Sequence, residues 1–225
     1  MAVEESAAPR WRRRKQARPR EIVAAALEVF AERGFAAARL EDVAARAGVS
    51  KGTLYLYFPN KEELFKAVVR AAVVTNLEQA ERLLADFQGP SFAILEAVVH
   101  GAGGRILASR AAAIPKLIIA ESGNFPDLAR FYHDEVIRRG FALLSAVLAR
   151  GVARGEFRPV DIDSTVRLIV APVLLGALWR STFAAVQDRP LDVPALLRTH
   201  LDHLRRALAP DGSDSDGAAS DGGNR

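Results

Sequence analysis

Residues 40–61 read LEDVAARAGVSKGTLYLYFPNK, and the fold is decided there. Leu40, Val43, Ala44 and Ala47 fall at i, i+3, i+4 and i+7, a spacing that lines one face of a helix with apolar groups. Gly48 can take a positive φ without steric penalty and ends that helix. Ser50 can cap the next one, its hydroxyl accepting from an orphan N–H in the first turn. Leu54 and Phe58 are four apart and face back onto the first helix. Lys51, Gly52, Thr53, Tyr55 and Tyr57 are left on the other sides. Two helices joined by a tight turn, with a small, polar and aromatic outer surface, have the layout of a helix-turn-helix reader of DNA.

The flanks extend this pattern. After Pro59, Asn60 is placed to cap a long helix, with Glu62 and Glu63 near its positive N-terminal end. Leu64, Phe65, Val68, Val69 and Ala72 form its inner face. If it continues to about Ala85 it spans roughly 35 Å. Upstream, a helix is expected to start near Pro19, which is favoured in a first turn. Ile22, Val23, Ala26, Leu27 and Phe30 make its stripe, and Gly34 ends it.

Charge is unevenly placed. Residues 10–70 hold 14 Lys/Arg against 7 Asp/Glu, while the rest of the chain is mildly acidic. A basic N-terminal third points to a polyanion as partner. Seven of the eleven residues in 10–20 are Arg or Lys. Residues 1–18 are therefore expected to be a flexible basic arm. Arg12, Arg13, Arg14 and Lys15 are its candidate phosphate or minor-groove contacts. The alternative is a solvated charged terminus.

The segment 19–65 resembles the N-terminal domain of the TetR family of bacterial transcriptional regulators. The residues that carry the resemblance are 22–30 with Arg33-Gly34-Phe35, then LEDVAARAGVS, then KGTLYLYFPNKEELF. They cover about a fifth of the chain. The resemblance implies that Tyr55 reaches bases or the adjacent backbone, that Tyr57 touches phosphate, and that Lys61 binds phosphate. Lys51 can bond guanine or a phosphate, and Thr53 offers a hydroxyl and a methyl group. One departure stands out. Arg39 occupies the position where the family usually has a capping Ser or Thr, so the cap is expected to be lost or shifted, with Arg39 offering its guanidinium to a phosphate instead.

The rest reads as all α, about nine helices in total. The expected divisions are an arm over 1–18, the helix-turn-helix domain over 19–66, a helical regulatory and dimerisation domain over 67–209, and a disordered acidic tail over 210–225. Gly101, Gly103 and Gly104 weaken one helix and permit close approach or a bend. From Val166 to Trp179 only Arg167 is charged, so that helix needs cover on nearly all sides. With the helix that follows, it is expected to form a four-helix dimer interface through Val170, Leu174, Leu178, Leu197, Leu201 and Leu204. The resemblance implies a small-molecule effector in the second domain. Candidate lining residues are Phe87, His100, Arg105, Phe131, Tyr132, Trp179 and Phe183, each of which also reads as ordinary core or surface.

Other classes find little support. The chain has no cysteine, hence no disulfide and no thiolate metal site. His200 and His203 sit at i, i+3 but lack the carboxylate partners of a di-metal bundle. No phosphate loop, nucleophile elbow or signal-peptide pattern is present. The longest uncharged apolar run, 168–179, is 12 residues, shorter than a membrane span needs. No enzyme, cofactor, metal or membrane partner is expected. The expected partners are duplex DNA, a second copy of the chain and a small molecule, in the bacterial cytoplasm with the nucleoid. The remaining rival is a DNA coater without sequence preference, which would not need the 50–57 surface.

Overall fold

The computed structural model describes residues 10–210, with side chains from Arg18 onward. The proposed contacts of Arg12, Arg13, Arg14 and Lys15 and the acidic tail beyond Pro210 lie outside the described residues. Where α, π and 3-10 turns abut, they form one continuous helix. This gives nine helices and no strand among the described residues. They are α1 (Arg10–Arg33), α2 (Leu40–Arg46), α3 (Lys51–Tyr57), α4 (61–86), α5 (Ser91–Ala108), α6 (110–121), α7 (126–153), α8 (Ile162–Val186) and α9 (Val193–Leu208).

The first helix starts earlier than expected. Its backbone is helical from Arg10, and Pro19 lies inside it. Arg, Lys, Gln and Ala are strong helix formers, and Pro19 removes only one backbone bond from a run that has favourable propensity on its N-terminal side. Residues 10–18 are thus a helical extension rather than an irregular arm.

The other boundaries follow local chemistry. Gly34, Gly48 and Gly155 take φ of 81°, 65° and 68° and stop α1, α2 and α7. Asn60 caps α4 by accepting from the Glu63 N–H at 2.8 Å. Asp161 and Asp192 cap α8 and α9 in the same way, at 2.7 and 2.9 Å. Arg39 has the extended backbone of a cap but makes no side-chain cap bond, so of the two expected alternatives the cap is lost.

Apolar side chains gather in two clusters. The first joins α1–α4 to α6 and the start of α7, around Phe30, Phe35, Phe65, Ile114 and Leu117. The second joins α5, the later part of α7, α8 and α9. The DNA-reading half therefore shares one core with α6. In α5, close approach is real: a Cβ on Gly103 would lie 3.3 Å from Val173, and one on Gly104 3.4 Å from Leu197.

Leu197, Leu201 and Leu204 correct the expected dimer face. All three are buried in the second core, because the stripe of α9 is used inside its own chain. Val170 is half-buried and lines a cavity described below, while Leu174 lies at the mouth of that cavity and stays 38% exposed. The apolar surface left over is another stripe of α8, where Leu168, Leu175 and Val186 are 66%, 60% and 79% exposed. Leu178 is half-buried beside it.

By length and composition alone, two helices could cross a bilayer: Ser91–Ala108, with mean hydropathy 1.2, and Ile162–Val186, with 1.6. The 12-residue limit missed the second because Arg167 and Arg180 end the uncharged run without ending the helix.

Candidate DNA interface and effector cavity

The turn between α2 and α3 is built as the sequence predicts. Leu40, Val43, Ala44 and Leu54 are buried, and Ala47 and Phe58 pack beside them. The Ser50 hydroxyl accepts from the Thr53 N–H at 3.1 Å and lies 2.8 Å from the Thr53 hydroxyl. These two contacts fix the first turn of α3.

The outer side of α3 is open. Lys51, Gly52 and Tyr55 are exposed, and Thr53 and Tyr57 are half-buried. A Cβ on Gly52 would meet nothing closer than the Ser50 hydroxyl at 4.0 Å, so packing within the chain does not demand glycine there. Lys51 pairs with Glu41 on α2 and stands 5.8 Å from the centre of the Tyr55 ring. Hydrogen bonding to Lys51 holds the Glu41 carboxyl below its usual range, and the same bond raises Lys51. Arg39 is exposed at the start of α2. Leu56 was not singled out from sequence, yet it is 76% exposed in the middle of α3. Its signal was present: a leucine two places from the inward Leu54 must point away from the core.

Lys61 departs from expectation. Its Nζ donates to the carbonyls of Ala36 and Ala38 at 2.9 and 3.2 Å, over the Phe35 ring at 4.7 Å. Burial holds its pKa below the ordinary lysine value. The ammonium closes the α1–α2 turn instead of standing free for a phosphate. Sequence could not show this, because the acceptors are backbone groups more than twenty residues away.

The same turn is tied to the second half of the chain. The Ala36 N–H donates to Glu121 Oε1 at the end of α6, and Phe35 packs edge-on against Phe125 at 4.9 Å. At the start of α6, Arg110 pairs with Glu32 on α1 at 3.1 Å. Glu32 also holds Arg46 of α2 at 2.7 Å, and these two arginines keep its carboxyl below the usual range. Both ends of α6 are thus fastened to the DNA-reading half.

Between those ends, α6 turns Ala111, Pro115, Ile118 and Ile119 toward a cavity of about 350 Å³. Helices α4, α5, α7 and α8 supply its other walls. Of the seven candidate effector contacts, Tyr132 alone lines it. Phe87 packs on the second core beside Arg150, whose guanidinium donates to the Phe87 and Gly89 carbonyls. Arg105 is exposed and donates to Asn76 at 3.2 Å. Phe131 lies under Arg70 at 4.9 Å, on the first core. Trp179 and Phe183 pack on each other at 5.0 Å on the outer side of α8. His100 is exposed and lines a separate surface hollow with Arg180 and Asp192. The lining was hidden in the sequence because, Tyr132 and Phe141 apart, it consists of small and aliphatic residues, which any core contains.

His200 and His203 do not form a pair. His200 is buried with Nε2 2.9 Å from the Ile169 carbonyl, while His203 faces outward.

A half-exposed recognition helix, rooted in a small aromatic core and fastened to an all-helical half that encloses an apolar cavity, defines a helix-turn-helix regulator. Residues 22–68 match the bacterial regulatory proteins of the tetR family, and residues 95–191 match the tetracyclin repressor-like C-terminal domain. The HTH-type transcriptional regulator RutR of Escherichia coli is 29% identical over 206 residues, 85% of this chain and 89% of RutR. The fatty acid metabolism regulator protein of Bacillus subtilis is 27% identical over 193 residues, 84% of this chain and 96% of that one. The crystal structure of FadR from Bacillus subtilis in complex with stearoyl-CoA superposes with a TM-score of 0.70 at 23% identity, over 84% of this chain and 98% of FadR. The chain belongs to the TetR family of transcriptional regulators and is a DNA-binding protein of that class.

Proposed function

We propose that this chain represses transcription as a homodimer on an inverted-repeat operator and lets go when a small apolar molecule enters the cavity. The observation that carries the reading is the double role of α6. One side of it lines the cavity, and its two ends are fastened to α1 and to the turn before α2. A ligand that shifts α6 must shift or strain the DNA-reading half. It acts by favouring one arrangement through differential affinity.

The homodimer is supported by the exposed stripe of α8, including Leu168, Leu175, Trp179 and Phe183. Such a stripe on one helix suits a second copy related by a two-fold axis. Two copies would set their α3 helices about 34–36 Å apart, one turn of duplex. The direct readers in this reading are Lys51, Gly52, Thr53 and Tyr55, with Leu56 added for thymine methyl groups. Arg39 and Tyr57 flank them toward phosphate, and Ser50 positions the helix. Such a protein works in the bacterial cytoplasm on nucleoid DNA, as the names of its relatives support.

The test is selection of bound duplexes from a random pool with the full chain, followed by sizing of the complex. The expected result is an inverted repeat bound by two chains, preferred over unrelated duplex by roughly 10³-fold or more. A pool that shows no enrichment would favour a DNA coater without sequence preference.

A further inference from the structure

The lining of the cavity is chemically uniform. It consists of 23 residues, and Tyr132 is the one among them with a polar side-chain atom. No charged or amide side chain contributes. Ile119, Ile137 and Leu174 line the cavity and are also 57%, 37% and 38% exposed, so they mark an apolar mouth between α6, α7 and α8. Lys116, on the same helix as Ile119, is held elsewhere by the Ser181 carbonyl at 3.0 Å.

The Tyr132 hydroxyl makes no hydrogen bond among the described residues. Burial pushes its pKa up to about 12, so it stays protonated and remains a donor. Tyr132 is half-buried and its hydroxyl is the one polar side-chain group on the cavity wall, so an acceptor brought beside it inside the cavity gains a hydrogen bond there. Local backbone form agrees. Three π-helical segments, Arg70–Val74, Ala97–Gly103 and His133–Ile137, all contribute lining residues, and Tyr132 directly precedes the third. Short π segments inside α-helices concentrate at functional sites.

We propose that the cavity takes an uncharged, largely hydrocarbon molecule with a single carbonyl acceptor, and that the Tyr132 hydroxyl donates to that carbonyl. This rests on the reading of the cavity as the effector site and narrows it to a ligand class. A free carboxylate would be left without a counter-charge, and a polyhydroxylated or base-like molecule would leave several polar groups unpaired. Tyr132 also packs against the core shared by α1–α4, so the carbonyl would be bound next to the DNA-reading half.

The experiment titrates the full chain with three probes by calorimetry: methyl decanoate, decanoate and butylbenzene. The same titrations are run on Tyr132→Phe. Methyl decanoate is expected to bind the parent chain, to lose about tenfold in affinity in the variant, and to bind more tightly than decanoate. Butylbenzene, which has no acceptor, is expected to bind both proteins within about twofold. The variant keeps the ring and removes only an unpartnered hydroxyl, so its Tm should equal or exceed that of the parent. Equal losses for the ester and butylbenzene, or no loss for the ester, overturn the Tyr132 assignment. Decanoate binding as tightly as its ester overturns the neutral class. If none of the probes binds, the cavity reading falls together with this inference. If the ester binds the variant undiminished and still releases DNA from it, the effector reading stands and the inference alone fails.

Discussion

The backbone N–H of Ala36 donates to Glu121 at 3.1 Å, while the carbonyl of the same residue accepts from Lys61 at 2.9 Å. One peptide segment thus joins the end of a cavity wall to the start of α4. Glu121 is expected to add little to folding, since a largely exposed contact contributes about 1 kcal/mol or less. Its proposed role is to fix the tilt of the DNA-reading half. Glu121→Ala should therefore weaken binding to a full inverted repeat by several-fold, with Tm nearly unchanged. Binding to a duplex with one half-site should stay as it is, because α3 itself is untouched. Glu121→Gln keeps an acceptor and should restore the full-site affinity. Equal losses on full and half sites would show a local effect on the reading surface instead.

Lys61 calls for a different expectation from the phosphate contact that the family resemblance implies. Its ammonium satisfies two carbonyls and covers the Phe35 ring. Lys61→Ala leaves both acceptors to water and should destabilise the chain by about 2 kcal/mol. For a chain of this size that lowers Tm by roughly 4–8 °C. The slope of log affinity against log salt should not change, because no phosphate contact is removed. A slope flatter by about one, with Tm unchanged, would return Lys61 to the phosphate set.

Much of the DNA-reading half was legible because its signals are local. Gly48, Ser50, Asn60 and the 40–47 stripe each act within a few residues of themselves. The cavity was not legible, because its contacts join five helices distant in sequence, and a valine lining a void reads like a valine in a core. The dimer face misled for a related reason. Periodicity shows that Leu197, Leu201 and Leu204 share a side of α9, but not whether that side meets its own chain or another. Pro19 suits a first turn and so signals a helix start, yet the helix continues through it back to Arg10, because residues 10–18 carry helix-forming side chains on its N-terminal side.

Those two leucine stripes can be told apart by one substitution each. Leu175 is 60% exposed and Leu201 is 7% exposed. Leu175→Glu places a charge in solvent in the free chain and in an apolar seam in the dimer. It should give a folded monomer, with unchanged helical circular dichroism, that loses the full operator. Leu201→Glu buries an unpaired charge in the second core and should cost more than about 4 kcal/mol, enough to unfold or aggregate the chain. Light scattering separates the outcomes. A folded dimer from Leu175→Glu would move the interface off α8.

His200 makes the stability of the second core depend on pH. Burial is the main cause that lowers its pKa below 6.5, and His203 adds a smaller push in the same direction. Its Nε2 donates to the Ile169 carbonyl of α8, which requires that nitrogen to carry the proton in the neutral ring. The folded chain therefore resists a second proton that the unfolded chain accepts. Where the unfolded state binds more protons, stability rises with pH. The contribution is complete above the unfolded value near 6.5 and is lost as pH falls through it toward the lower folded value. Tm should hold steady above about pH 7 and decline below it. His200→Gln keeps an amide N–H in nearly the same place and does not titrate, so its Tm should decline less between pH 7 and pH 5 than that of the parent. Parallel declines in the two proteins would remove His200 as the source of the acid sensitivity in that window, since carboxylates such as Glu32, held below 4.5 by Arg46 and Arg110, lose their contribution only at lower pH, as it falls from about 4.5 toward the folded value.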